Sequence, residues 1–584
     1  MSQANPFRLN NLPPWVAKPL ESALGLNPLA EGYDQRPQQA TAETFLDFAL
    51  AKLGCTVALN GQALEAVIPE QGPVIVFANH PFGGIEGMAL TRALLAVRPD
   101  TKVLTNQMLS RIPELAPIFF GVDVLKDKAA HRNTASVREA AQHLAQDGLL
   151  LIFPAGQVSS MTWGNFSVRD RQWNPMVGRL AQKYQATCVP VYVHGHNPLY
   201  FQLGGLIHKR VRTALLPRQL ANKKGKRIEM TVGNAITPKE IKGLKDASAT
   251  THMFRMATYL LATKSDERHS QFEPMEAEAT TLQVKAIETE LAKLSDYKLL
   301  SKNQFDVYCA PFASLHHVFD AIAKAREATF RAVGEGTGQE KDSDQFDPDY
   351  YHLFIWDREK KAIVGGYRLG ETDKIVQQKG VNALYSRSLY RFDEHYIESL
   401  GPALEVGRSF VTQAYQRQPS SLDLLWRGIG RFLVLHPQYR ILFGCVSISS
   451  DHSETARAFI SDAMMESFRA EQKFLENVKP MVPLKVKGKV WSAKMLRSIQ
   501  DITVFNKLVG QCDPGKTIPV LLRHYLALDG RFVGFTVNKG FNDSLDGLIL
   551  VDLHGVPERY LTRYLGKEGL ATYRQYWEKN ESTV

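Results

Sequence analysis

The chain is 584 residues long, too long for one hydrophobic core, and this length allows about two to four domains. Apolar residues make up 44% and charged residues 22%, which excludes a disordered or fibrous chain. A formal net charge of +10 directs the surface toward anionic partners, whether nucleic acid, anionic lipid or an acidic carrier protein.

The N-terminal stretch MSQANPFRLNNLPPWVAKPL lacks the basic start and apolar centre of a signal peptide. No window holds the ~18–20 apolar residues that span a bilayer. Both features predict a cytoplasmic protein whose membrane contact is peripheral. Next in order, TAETFLDFALAKLG (41–54) has apolar residues at helical spacing. PVIVFA (73–78) is a short continuous apolar run, the pattern of a strand buried on both faces. ASVREAAQHLAQDG (135–148) is a second helix ended by Gly148. LLLIFPAG (149–156) and ATCVPVYVHGHN (186–197) are further buried strands. Strands alternating with helices predict a largely parallel α/β sheet with functional loops at the strand C-terminal ends.

After Lys264 the composition turns polar, and SDERHSQFEPMEAEATTLQ (265–283) reads as a linker or a solvated helix start. A second α/β pattern follows, with KKAIVGGYRLG, GPALEVGRSFV, YRILFGCVSIS, GRFVGFTVN and DGLILVDL as strands. The expected division is 1–264, a linker at 265–284, and 285–584. Five cysteines (Cys55, Cys188, Cys309, Cys445, Cys512) are scattered without CxxC pairing, so neither a disulfide framework nor a metal site is expected.

The chemistry of the first half centres on VIVFANHPFGGIEGMAL (74–90). A strand end presents His80, the pair Gly83 and Gly84 permits tight turns or close substrate approach, and Glu86 can orient the imidazole as a base. Position 85 is Ile, so the acid comes one residue later than in the best-known motif of this kind. The stretch resembles the first block of the glycerolipid acyltransferase (PlsC-like) superfamily. FFGVDVLKD (119–127), LIFPAGQVSS (151–160) and VPVYVHGHN (189–197) stand in order where its later blocks belong. That resemblance, over roughly 40–240, implies an αβ sandwich in which His80 deprotonates an acceptor hydroxyl and Glu86 orients it. Asn79, Gly83, Gly84, Phe153, Pro154 and Gly156 would then line the acceptor site. Two departures bear on the acceptor. Ala155, Gln157 and Val158 replace the family's charged third block, and Asp127 stands in place of its second-block arginine. Because guanidinium groups hold phosphate bidentately, their loss argues for a lipid alcohol without phosphate, with Lys126 or Arg132 as possible substitutes. The segment 199–227 joins aromatic and aliphatic residues to eight Lys/Arg with no acid, which suits an anionic bilayer or an acidic acyl carrier protein.

In the second half, AREATFRAVGEGTG, DSDQFDPDYYHLFIWD, VGGYRLG, ALEVGRSFV and LLWRGIGRFLV resemble the acyl-transferring branch of the GNAT fold, near ornithine N-acyltransferases and autoinducer synthases. The resemblance implies an amine acceptor and a carrier-protein donor. Glu405 on a strand is the candidate base. Arg326, Asp344, Asp347 and Arg368 match charged positions of the autoinducer synthases and either bind the amino-acid acceptor or hold the fold, and Arg408 is a further candidate for substrate binding. Strand parity puts Arg408 on the face opposite Glu405. Gly428 and Gly430 resemble a phosphopantetheine loop, although Leu425 stands where that pattern begins with Gln or Arg. GQCDPGKT (510–517) imitates a Walker A loop and LILVD (548–552) a Walker B strand. With only 67 residues after Thr517 there is no room for the parallel sheet a P-loop needs, so this is a chance match.

Together the two halves resemble the bifunctional ornithine lipid synthases. The expectation is an α/β chain of two domains, one glycerolipid-acyltransferase-like and one GNAT-like. The second would attach a 3-hydroxyacyl group to the α-amine of an amino acid, which is ornithine in that family and is open here among ornithine, glycine and lysine, and the first would esterify the new hydroxyl. The donor would be acyl-ACP or acyl-CoA, with no tightly bound cofactor and no nucleic-acid partner, at the inner face of the cytoplasmic membrane. The competing expectations are a lysophospholipid acyltransferase and a non-catalytic, haemolysin-like membrane-binding protein.

Overall fold

The structure, a computed structural model, describes residues 5–106, 112–122, 130–162, 165–207, 209–262, 275 and 280–581. Among them no helix is long and apolar enough to cross a membrane. The chain divides into two compact units, 1–264 with 488–515, and 265–487 with 516–584.

The first unit is built on a seven-stranded sheet. Its strands are β1 (Thr56–Gly61), β2 (Val74–Ala78), β3 (Lys102–Asn106), β4 (Phe119–Val122) and β5 (Leu149–Ile152). A separate hairpin, β6 (Ser160–Thr162) and β7 (Asn165–Arg169), precedes β8 (Thr187–Val193) and β9 (Arg227–Val232). The order is β1-β9-β8-β2-β5-β3-β4, parallel except for the β8–β9 pair. Every residue of β2 and β5 is buried, as expected for strands covered on both faces. Val74, Val76, Leu149, Leu151, Val189 and Val191 form the middle of the core, and Ile85, Ala89 and Leu94 of the helix Ile85–Val97 pack on it. The segment 488–515, expected in the second domain, completes this unit instead. Gln511 is buried and exchanges two hydrogen bonds with the backbone of Asn234, at 2.9 and 2.8 Å. His252 Nδ1 lies 3.0 Å from Ser498 Oγ, and Val504, Phe505 and Leu508 are fully buried.

The second unit holds an eight-stranded sheet. Its strands in the chain are β10 (Lys298–Lys302), β11 (Phe305–Pro311), β12 (Tyr351–Asp357), β13 (Ala362–Glu371), β14 (Tyr390–Arg391) and β15 (Ala403–Val411). Then come β16 (Ile441–Ile448), β17 (Lys479–Pro480), β18 (Arg531–Asn538) and β19 (Ser544–Asp552). The sheet order is β10-β11-β12-β13-β15-β16-β19-β18, and β14 pairs with β17 separately. All main-sheet pairs are antiparallel except β15–β16. That parallel pair is joined only at Ala403–Glu405 with Ile441–Phe443, and both strands run on unpaired with each other. The five strands expected from sequence here are all present. Of the expected linker, Thr280 caps a helix Thr281–Lys293 in a capping box, and residues 263–274 and 276–279 lie outside the described residues. GQCDPGKT follows the helix Ile502–Cys512 rather than a strand, and Lys516 Nζ donates to the Asp451 carbonyl, so no phosphate cradle forms.

Candidate active sites

In the first unit β2 ends at Ala78, and two residues later His80 stands beside the C-terminal end of the adjacent β5, where Phe153 follows. The two rings lie 4.6 Å apart, at the sheet edge where open α/β sheets place their ligands. His80 Nδ1 stands 3.0 Å from Glu86 Oε1, an ion pair whose alignment falls short of a full hydrogen bond. The late acid works because of the loop before it. Gly83 has φ +92°, where a side chain would be strained and would strike Leu216 and Val158, and Glu86 is the second residue of the helix Ile85–Val97. From that first turn its carboxylate folds back and accepts the Phe82, Gly83 and Gly84 amides at 2.8, 2.9 and 3.0 Å.

The electrostatics follow from these partners. Burial pushes the Glu86 carboxyl up, but the adjacent His80 imidazole, with the Gly83 and Phe82 amides, outweighs it and holds the pKa at about 2. Burial alone would pull His80 down; the neighbouring Glu86, aided by Asp170, raises it above 6.5. Asp170, which no sequence signal marked, is a buried acid behind the histidine. It accepts the His80 amide at 3.2 Å, the Ser159 hydroxyl at 2.5 Å and the Trp173 indole at 2.9 Å. With Nδ1 engaged and the ring 19% exposed, Nε2 is the nitrogen left to take a proton.

His80 opens onto a cavity of about 1000 Å³. Gly83, Gly84, Phe153, Pro154 and Gly156 line it as expected, and Leu29, Phe45, Met88, Leu115 and Phe119 extend its wall as apolar surface. Asn79 is placed differently from expectation. Its buried amide bridges β2 to β8 through the Val193 backbone at 2.9 and 2.7 Å, so it closes a gap in the sheet and does not face the cavity. Lys126 and Asp127 lie outside the described residues.

In the second unit Arg326, Asp344, Asp347, Arg368 and Arg408 do converge, joined by Asp342, which sequence reasoning missed. Arg326 pairs with Asp342 at 2.8 Å and Asp347 at 3.2 Å, and Arg368 with Asp344 at 2.6 Å and Asp347 at 3.0 Å. Arg408 pairs with Asp342 at 3.2 Å and Asp344 at 3.1 Å. Burial raises the Asp347 carboxyl, but the Arg326 and Arg368 charges overcome it and hold the group far below its usual value. Three guanidinium groups matched by three carboxylates form a network that binds segment 342–347 to the sheet. The charges balance within the set, although Asp342 Oδ1 and Arg368 Nη2 are buried without hydrogen-bond partners.

Strand parity fails for Arg408. Gly366 pairs with Phe410 but Arg368 pairs with Gly407, so β15 carries one extra residue in a bulge. Arg408 has φ +49°, an uncommon value for a side-chain-bearing residue. The bulge turns its guanidinium to Tyr385 Oη at 3.2 Å, on the same loop whose Tyr385 and Ser386 amides donate to Glu405 at 3.2 and 2.7 Å. Glu405 also accepts the Tyr350 hydroxyl and is 2% exposed. A carboxylate with its lone pairs so occupied anchors the 385–386 loop and is poorly placed to take a proton from a substrate.

Beyond the point where β15 and β16 part, another acid is better placed. Glu335, set between Gly334 and Gly336, accepts the β16 Ser447 hydroxyl at 2.9 Å, and Ser447 pairs in register with Asp546 on β19. Burial, then the Asp546 charge, pushes Glu335 up to about 8, and burial also raises Asp546. The sequence contained this residue within VGEGTG without distinguishing it. Gly428 and Gly430 are not a phosphate loop. Both lie inside the helix Pro419–Leu435, where a Cβ on Gly428 would strike Leu353 and Val307 and one on Gly430 the Tyr564 carbonyl. They permit close packing of that helix.

Comparison with known proteins agrees with this division. Residues 40–267 match the family described as acyltransferase, and residues 325–427 match the acetyltransferase (GNAT) domain. The chain is similar to a glycine N(alpha)-acyltransferase of Phocaeicola vulgatus, 27% identical over 48% of this chain and 89% of that protein. It is also similar to a lyso-glycine lipid O-acyltransferase of the same organism, 28% identical over 27% of this chain and 53% of that protein. Among solved structures it is similar to the 1-acyl-sn-glycerophosphate acyltransferase PlsC of Thermotoga maritima, at 16% identity and a TM-score of 0.25, over 41% of this chain and 89% of that one. The chain is an enzyme that transfers acyl groups, with an acyltransferase match in its N-terminal half and a GNAT-domain match in its C-terminal half.

Proposed function

We propose that this chain makes a phosphorus-free aminolipid by two successive acyl transfers. The GNAT unit acylates the α-amine of an amino acid with a 3-hydroxyacyl group, and the PlsC-like unit esterifies the hydroxyl so introduced. The observation that carries the reading is the His80–Glu86 couple at the mouth of a largely apolar cavity of chain-accommodating size. In the second step His80 Nε2 takes the proton of the acceptor hydroxyl as its oxygen attacks the donor thioester carbonyl, and the thiol leaves with a proton returned by the imidazolium. Glu86 steadies the charge that forms on the ring. In the first step Glu335, with its raised pKa, accepts the proton of the ammonium nucleophile at the parting of β15 and β16.

The sequence resemblance points to ornithine as the amino acid, and the names of the curated relatives support glycine. The donor is an acyl thioester of a carrier protein or of CoA. Exposed Leu199, Tyr200 and Leu203 on the helix Leu199–Ile207, followed by exposed Arg218, Lys224, Lys226 and Arg227, support a peripheral seat on anionic membrane. Lipid mass spectrometry of a host without aminolipids tests the whole reading. The intact chain should yield a diacylated aminolipid, and His80→Ala should leave only the N-acylated intermediate; undiminished diacyl product from that variant would exclude the role of His80. The mass of the headgroup decides between ornithine and glycine.

A further inference from the structure

One basic residue of the 199–227 segment does not face solvent. Arg212, in the short helix Lys209–Ala214, is 5% exposed and lines the cavity into which His80 opens. Its Nη2 donates to the Gln157 side-chain oxygen at 3.1 Å, while its buried Nη1 has no hydrogen-bond partner. No described carboxylate pairs with it, and burial, then the positive charge of Arg171, lowers its pKa. Among the described residues the cavity wall includes Lys52, Arg212 and Lys224 but no Asp or Glu. A buried guanidinium without a counter-ion is costly to the fold unless a ligand completes it. It also lies close to the reacting end. Gln157 and Val158 are consecutive, and Val158 and Leu216 flank the Gly83 turn that carries the His80–Glu86 couple.

We propose that Arg212, held by Gln157, binds the free carboxylate of the acceptor in the O-acyl transfer, and so selects an N-acylated amino acid over a neutral or phosphorylated lipid alcohol. The inference rests on the function proposed above. N-acylation consumes the amine and leaves the carboxylate as the acceptor's only charge if the amino acid is glycine, and its only negative charge if it is ornithine. One guanidinium with one open edge matches a monoanion of planar, bidentate shape. A phosphate monoester, with nearly two charges, would call for a second buried cation, and among the described residues the cavity's other Lys and Arg, Lys52 and Lys224, are exposed. This arrangement also accounts for the neutral third block: the positive charge has moved from the strand-end loop to the 209–214 helix, where it lies farther along the acceptor.

The experiment uses the full chain, a long-chain acyl-CoA donor and three acceptors: an N-(3-hydroxyacyl) amino acid, its carboxamide, and a monoacylglycerol phosphate. The parent enzyme should prefer the free acid. Arg212→Met should raise KM for the acid about 10- to 100-fold, leave the already weak carboxamide and the donor KM unchanged, and not lower the Tm, because the one hydrogen bond lost, to Gln157, is offset by removal of an unpaired buried charge. Arg212→Lys should retain part of the preference, which keeps the test independent of the methionine variant's folding. Equal loss on acid and carboxamide, a raised donor KM, or an unchanged acid KM would each overturn the role of Arg212. A parent enzyme that acylates only the phosphorylated acceptor would overturn the aminolipid reading, and this inference with it.

Discussion

Glu86 accepts three backbone amides and faces an imidazole, so it resists protonation more strongly in the folded chain than in the unfolded one. Its folded pKa of about 2 lies below the usual 4.5, so its contribution to stability is complete above pH 4.5 and is lost as the pH falls toward 2. Urea melts of the parent and Glu86→Gln should therefore differ most near neutral pH and converge in acid. In turnover the same pair acts on His80. A base works when neutral, and its pKa is raised, so O-acylation should increase with pH through a midpoint above 6.5. Glu86→Gln should lower kcat and move that midpoint downward, while His80→Ala should cost about 10²–10⁴-fold. Glu335 has the opposite sign. It keeps its proton in the fold up to about pH 8 and would release it earlier when unfolded, so it lowers stability as the pH rises from 4.5 to 8. Glu335→Gln should raise the Tm at pH 8 and yet abolish N-acylation; retained N-acylation would remove Glu335 as the base. His80 and Glu86 were legible because they stand together in the chain, in a motif read at a strand end. Asp170, Arg212 and Glu335 were not, since each gains its meaning only from neighbours that the fold brings from elsewhere.

At the scale of the element, the β15 bulge decides what Arg408 can touch. A strict alternation would have sent it to the far face, and a single inserted residue returns it to the Asp342, Asp344 and Tyr385 side. Period-two reading of a strand cannot see an insertion in register, because pairing is a property of two strands. Removing one charge from the network strands its partners, so Arg326→Met should destabilise the second unit by about 3–5 kcal/mol in a denaturant melt. The helix Pro419–Leu435 teaches the same lesson for glycine. Gly428 and Gly430 were read by spacing as a loop, and the helix buries them against Leu353, Val307 and Tyr564. Gly430→Ala should cost roughly 1–3 kcal/mol by overpacking, with the donor KM unchanged in whatever folds. On the first unit, Trp15 is 79% exposed and Tyr200 48% exposed. Trp15→Glu combined with Tyr200→Glu should release the protein from anionic vesicles in a sedimentation assay without altering the His80 site.

At the scale of the molecule, the fold class was legible almost throughout. Buried strands show themselves as unbroken apolar runs, and the expected strands and helices of both halves are present. The path of the chain was not legible, since nothing local in 488–515 says that its apolar face belongs to the first unit. Gln511 and Asn234 find each other across 277 positions. The proposed order of reactions also belongs to this scale. Loss of the GNAT unit's base should remove both lipids, whereas loss of His80 should remove only the second.

The return of residues 488–515 to the first unit bears on how the enzyme is made. A ribosome adding roughly 5–20 residues per second releases residues 1–264 well before their last structural piece, roughly 10–50 s before residue 515 is joined. The first unit therefore cannot be complete until most of the second unit has been synthesised. Cutting the gene at residue 264 would yield a fragment lacking the Gln511–Asn234 junction. On the proposed function, each finished molecule would deliver both activities together, in equal number, with no early pool of the second enzyme waiting for a substrate that the first has not begun to make.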